Sequence, residues 1–150
     1  MRETLFNWLG QDLSGQDCLD LFAGSGALGF EAVSRGARRV VMVERDRRAF
    51  QAPALSLHAL GCEAAVELYR ADALEFVRTL TDTFDVVFLD PPFDSGLAAA
   101  ILPAMSRLIR AGGSVYVESA SAIVPAPPWQ LHRKGKAGHV IFQLFIYGDQ

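Results

Sequence analysis

Leu19-Asp20-Leu21-Phe22-Ala23-Gly24-Ser25-Gly26-Ala27-Leu28-Gly29 is the segment on which the architecture turns. Residues 17–22 read as a buried strand that runs into a glycine turn. Residues 27–35 read as a helix stopped by Gly36. The glycines fit G-x-G-x-x-G, a pattern that lets a backbone turn tightly and approach a ligand with no β-carbon in the way. Asp20, four residues before Gly24, sets this loop apart from a dinucleotide site. A carboxylate there would repel a pyrophosphate. It suits a ligand that carries an ammonium group and a sulfonium centre, such as S-adenosylmethionine.

The same alternation continues along the chain. Residues 3–9 form an amphipathic helix candidate, and residues 39–44 are a near-continuous apolar run, the mark of a parallel strand covered on both faces. A helix over 47–60 ends at Gly61, with Pro53 in its first turns or at a kink. Residues 64–70 are a third strand and 73–80 a short helix. Residues 85–89 are a fourth strand, 97–110 a helix, and 114–117 a fifth strand set off by Gly112-Gly113. Two strands, near 129–133 and 139–147, are joined by a basic turn. Repeated β/α alternation means a mostly parallel, doubly wound sheet with the terminal hairpin at one edge. Such sheets bind ligands beyond the carboxyl ends of their strands, so residues directly after strands carry the interest.

Glu44 ends the second strand, 20 residues after Gly24, where an acid can accept both ribose hydroxyls of an adenosine. Dinucleotide and S-adenosylmethionine sites share that feature. Asp72-Ala73 follows the third strand, where Asp72 either reads an adenine amino group or caps the next helix.

Asp90-Pro91-Pro92-Phe93 follows the fourth strand. An exocyclic amine on a base is planar because its lone pair is delocalised into the ring. It attacks only when its two hydrogens are held and the lone pair is turned towards the methyl donor. Asp90 offers a carboxylate oxygen and Pro91 its carbonyl, with no competing N–H from either proline. Pro92 restricts the backbone of Pro91 and so aims that carbonyl. Phe93 can stack on a base taken out of its helix. A plain strand-ending turn is the other reading of the tetrapeptide. In the usual doubly wound order the first and fourth strands are neighbours, so the two motifs face each other across the switch point.

The arrangement resembles class I S-adenosylmethionine-dependent methyltransferases. Within them it is similar to the RsmD family, which methylates guanine N2 in the 16S RNA of the small ribosomal subunit. The residues that carry the likeness are Arg2-Glu3-Thr4-Leu5-Phe6-Asn7-Trp8-Leu9, the glycine segment, Val43-Glu44-Arg45-Asp46, Asp90-Pro91-Pro92-Phe93 and Tyr116-Val117-Glu118-Ser119. The resemblance implies an α/β, Rossmann-like fold with a seven-stranded, mostly parallel sheet of order 3-2-1-4-5-7-6. Strand seven is antiparallel and helices cover both faces. It implies that Asp20, Phe22, Ala23, Gly24, Ser25 and Gly26, with Glu44, Arg45, Asp72 and Ala73, line the S-adenosylmethionine site. It assigns Asp90 to Phe93 to the target guanine, with ribosomal RNA in an assembling small subunit as partner and S-adenosylhomocysteine as product. Members usually carry an extension before the Arg-Glu helix, with a basic hairpin and an Arg-Pro-Thr segment. Here Met1 stands directly before Arg2, and a single catalytic domain over 1–150 without that arm is expected.

Composition sharpens these expectations. With 150 residues, 51% apolar and 21% charged, the chain is an ordinary globular domain, neither disordered nor fibrous. Lys plus Arg number 14 against 17 Asp plus Glu, a net charge of −3 that by itself argues against a nucleic-acid partner. Arg45, Arg47 and Arg48 follow the second strand and belong on the ligand side, whereas Arg35, Arg38, Arg39, Arg107 and Arg110 belong on the far side. Arg133, Lys134 and Lys136 in the last turn are the candidate RNA contact. Trp8 and Trp129 read as packing residues. Cys18 and Cys62 read as reduced thiols, and His58, His132 and His139 are isolated, so no metal site is expected. No leader and no stretch of ~20 apolar residues is visible, and a cytoplasmic monomer is expected. Three other functions compete. The same amine-holding motif would serve an adenine-N6 or protein-amide methyltransferase. A binding module without activity is the second. A dehydrogenase is the third, and it gives Asp20 and the Pro-Pro turn no role.

Overall fold

The computed structural model describes residues 2–61, 63–93 and 95–148. Met1 and Cys62, both read above from sequence, lie outside them. The elements run α1 (Arg2–Trp8), β1 (Asp17–Asp20), α2 (Ala27–Ser34), β2 (Arg39–Val43), α3 (Arg47–Leu60), β3 (Val66–Tyr69), α4 (Ala73–Thr79) and β4 (Phe84–Leu89). Then come α5 (Leu97–Ile101), which continues as a 3₁₀ helix (Leu102–Arg107), β5 (Ile109–Ser119), β6 (Trp129–Ala137) and β7 (Val140–Tyr147). The sheet order is β3-β2-β1-β4-β5-β7-β6, as expected. β7 is antiparallel to both β5 and β6, so β6 runs with the parallel set and its end lies at the ligand edge.

Apolar side chains on the strands divide by parity into two cores. Leu19, Val41, Val87 and Val117 pack with α4 and α5 on one face. Cys18, Met42, Phe88 and Tyr116 pack with α1 and α2 on the other. Phe6 of α1 meets Phe88 at 6.0 Å between ring centroids, and Trp8 stacks on Phe142 at 5.4 Å. Trp129 packs against Tyr147 at 4.9 Å. Both tryptophans thus sit against other rings of the fold. Burial pushes the Cys18 thiol up to about 12, which leaves it unreactive at neutral pH.

Three local expectations are corrected. The helix expected over 97–110 keeps α-helical form only to Ile101. Pro103 lacks an N–H for the i→i−4 ladder, and the chain tightens into 3₁₀ before β5 begins at Ile109. Gly112-Gly113 does not precede the fifth strand but lies inside it. β5 pairs Phe84 with Ile109 and then Val86 with Ser114, so the intervening residues bulge out. At Gly113 a β-carbon would collide with the Asp85 and Arg110 carbonyl oxygens. The basic turn is also relocated: Arg133, Lys134 and Lys136 lie in β6, paired with Leu144, Gln143 and Ile141 of β7. The connection is Gly138-His139, with Gly138 at φ +60°.

At the end of the sheet away from the ligand edge, charges are neutralised. Asp17, 2% exposed at its side chain, accepts from Arg38 Nε at 3.0 Å and Arg110 Nη2 at 2.8 Å. Arg110 also donates to Asp85 at 2.7 Å, and Asp85 accepts the Asp17 N–H at 2.9 Å. Chiefly through its Arg38 hydrogen bond, Asp17 is held below the usual carboxylate range. Asp17→Ala should cost about 2 kcal/mol in urea denaturation at pH 7, below the 3–5 kcal/mol of a sealed pair because both arginines reach solvent. Asp17's contribution is full above an unfolded pKa of about 3.9 and disappears as pH falls through the lower folded value. The gap between variant and wild type should therefore close in acid.

Candidate active site

The strands deliver their carboxyl ends to one crevice of about 470 Å³, within the ~300–1,000 Å³ of small-ligand pockets. Its walls include Phe22 and Gly24 after β1, Glu44 and Arg45 after β2, and Asp72 and Ala73 at the start of α4. The opposite wall is Asp90, Pro91 and Pro92 after β4. The two motifs therefore face one another, as the strand order requires.

Glu44 is the hinge of the glycine side. Its Oε1 accepts the Gly24 N–H at 2.8 Å and its Oε2 the Asp46 N–H at 2.8 Å. Each oxygen keeps a lone pair for a further donor, such as a ribose hydroxyl. Gly26 sits at φ +87°, where a β-carbon would also strike the Phe30 ring, so the loop needs glycine there twice over. Asp72 accepts the Glu75 N–H at 3.2 Å as the cap of α4 and still lines the crevice, so the two readings of it are compatible.

Asp20 is not on the crevice wall. It is buried at the end of β1, 1% exposed, and neither carboxylate oxygen has a hydrogen-bond partner among the described residues. Burial and then the charge of Asp90 raise it to about 7. The Phe22 and Gly29 N–H groups pull the other way without reaching hydrogen-bonding geometry. Ala23 and Gly26 are likewise buried, while Ser25 is exposed beside the crevice rather than in it. Asp90 opens to the crevice, and desolvation by the surrounding walls, then the Glu118 charge, raises it to about 6. Phe93, next in the chain after Pro92, stands 60% exposed and lines neither the crevice nor the neighbouring cavity. Arg133, Lys134 and Lys136 are exposed along edge strand β6, away from the crevice.

A second cavity of about 350 Å³ shares Pro91 and Pro92 with the crevice. Its far wall is Glu118 to Val124. Buried Gln143 of β7 pins that wall: its Oε1 accepts the Ile123 N–H at 2.8 Å and its Nε2 donates to the Ile123 carbonyl at 3.0 Å. Neither Glu118 nor Gln143 was expected in the site. The available signal for Gln143 was a lone amide within the apolar run Val140 to Tyr147.

A seven-stranded sheet of this order, with its glycine loop and acid-lined crevice, is that of a class I methyltransferase fold. The chain belongs to the family described as Conserved hypothetical protein 95, the RsmD family, which it matches over residues 1–146. It is 36% identical over 152 residues to the Haemophilus influenzae protein named Ribosomal RNA small subunit methyltransferase D, covering 97% of this chain and 79% of that one. It is 37% identical over 151 residues to the Escherichia coli K12 protein of the same name, covering 97% and 75%. The solved structure of yhhF from Escherichia coli superposes with a TM-score of 0.91 at 35% identity, covering 99% of this chain and 85% of that one.

Asp20 gives a test with a definite sign. Its folded value of about 7 lies above an unfolded value of about 3.9, so the folded state is penalised increasingly as pH rises between them. Asp20→Asn should raise stability by on the order of 2–4 kcal/mol at pH 8. The gain should shrink by more than half at pH 5. Thermal melts at the two pH values check this, and an equal shift at both would remove the assigned cause.

Proposed function

We propose that the protein uses S-adenosylmethionine to methylate the N2 amine of a guanine in small-subunit ribosomal RNA, within an assembling subunit. The observation that carries the reading is the shared wall: Asp90 and Pro91 border the same crevice as Glu44 and the glycine loop. The names of the Haemophilus and Escherichia relatives support the RNA class. The residues fit the cofactor. Glu44 has spare acceptor capacity for ribose, and Asp72 lines the same crevice beside it.

S-adenosylmethionine, when bound, supplies a methyl group on a positively charged sulfur. The chain supplies position. Asp90 accepts one N2–H and the Pro91 carbonyl the other, which turns the nitrogen lone pair into the crevice. Phe93, exposed beside Pro92, offers its ring to the face of the base. Asp90 then takes the proton that N2 releases and passes it to solvent, a transfer suited to a carboxyl poised near 6. Much of the acceleration comes from holding the amine in line, since no covalent enzyme intermediate is needed. Arg133, Lys134 and Lys136 give the RNA phosphates an exposed basic strand.

Asp90→Ala should abolish transfer of labelled methyl to small-subunit particles from a methylase-deficient strain. Its affinity for S-adenosylhomocysteine by calorimetry should stay within a few-fold of wild type. Glu44→Gln should weaken that affinity about 10–100-fold, the range for a charged hydrogen bond. Mapping the labelled base decides between guanine and the adenine alternative. Activity should fall below pH 6 as Asp90 becomes protonated. Reversing Lys134 and Lys136 to Glu should weaken RNA binding and flatten its salt dependence.

A further inference from the structure

Glu118 belongs to none of the roles above, yet it stands where the target base would enter. It follows Tyr116 and Val117 on β5, whose partners on β4 are Phe88 and Leu89, so Glu118 is the β5 neighbour of Asp90. Parallel strands lie about 4.8 Å apart. The Tyr116 hydroxyl, in a fully buried ring, donates to Glu118 Oε2 at 2.8 Å. That bond fixes the carboxylate and leaves Oε1 with no hydrogen bond among the described residues. Glu118 forms one wall of the 350 Å³ cavity that shares Pro91 and Pro92 with the crevice. The opposing wall is apolar, with Ala98 and Ala99, and the loop behind is fastened by Gln143.

We propose that Glu118 selects the base: its free oxygen accepts the N1–H of guanine while Asp90 and Pro91 hold the N2 amine. This rests on the guanine reading above. The chemistry is discriminating because only guanine, among the bases with an exocyclic amine, carries a ring N–H beside it. Adenine and cytosine present a bare ring lone pair at that place, which a carboxylate repels. A guanine edge also puts donors beside two neighbouring carboxylates, Asp90 and Glu118, and so relieves the Glu118 repulsion that adds to desolvation in raising Asp90. A site built to pair with a polar edge rejects a partner lacking it far more strongly than an apolar pocket could.

The test uses the full chain and two RNA substrates that differ only at the target nucleotide, guanosine or 2-aminopurine riboside. The second keeps the C2 amine but replaces N1–H by a lone pair. Wild type should prefer guanosine in kcat/KM. Glu118→Gln, whose amide can present an N–H to that lone pair, should shrink the preference at least tenfold. Tyr116→Phe should shrink it less, through a loosened Glu118. S-adenosylhomocysteine affinity, read by calorimetry, should be unchanged in both variants. If Glu118→Gln lowers both substrates equally, or neither, Glu118 is structural and the selection role is overturned while the methyltransferase reading stands. If wild type methylates no guanosine substrate, the guanine reading fails and this role fails with it.

Discussion

Register among four parallel strands is the constraint on which the site depends. Asp20 pairs with Met42 on one side and Phe88 on the other, and Phe88 pairs with Tyr116. All four point to the face covered by α1 and α2. Two residues further on, with the same parity, come Glu44, Asp90 and Glu118. Four acidic residues thus collect at one end of β2, β1, β4 and β5. A one-residue slip of any strand would turn its acid towards the opposite face. The apolar partners enforce the register, because the same slip would expose Met42, Phe88 or Tyr116 from a closed core.

The two aspartates of β1 show what the two ends of the sheet are for. Asp17 and Asp20 lie in one four-residue strand, both almost wholly buried. Arg38 and Arg110 neutralise the first and lower its pKa. Among the described residues no cation pairs with the second, which rises to about 7. One end of the sheet is bound shut by ion pairs, and the other is left short of positive charge. Uncompensated buried carboxyls lower stability, and proteins keep such groups where a ligand completes them.

Much of this was legible in the sequence because apolar runs and glycine punctuation are local signals. The strands of Leu19, Val41 and Val87 announced themselves, and so did the loop between Asp20 and Gly29. Longer-range effects were not legible. Asp17 is paired by Arg38, 21 residues away, and by Arg110, 93 residues away. The need for glycine at 113, inside the bulge, is set by the Asp85 carbonyl on the neighbouring strand. The basic residues 133–136 look like a turn because they are polar and edge strands tolerate such composition. In the candidate site the walls after β2 and β4 were readable, because they directly follow apolar strands. Glu118 was visible only as part of a motif, and the role of Gln143 depends on a loop 20 residues earlier.

Gln143 fastens the cavity wall through main-chain atoms of Ile123 alone. A side-chain amide there does the work of a missing strand neighbour, completing a ladder the loop does not otherwise have. The identity of the residue at 123 is therefore irrelevant to the anchor. The lining from Ala120 to Val124 can be rewritten, larger or smaller, greasier or more polar, while its backbone stays in place. One amide on a buried strand makes that wall interchangeable, and the same scaffold can be refitted to a differently shaped ligand.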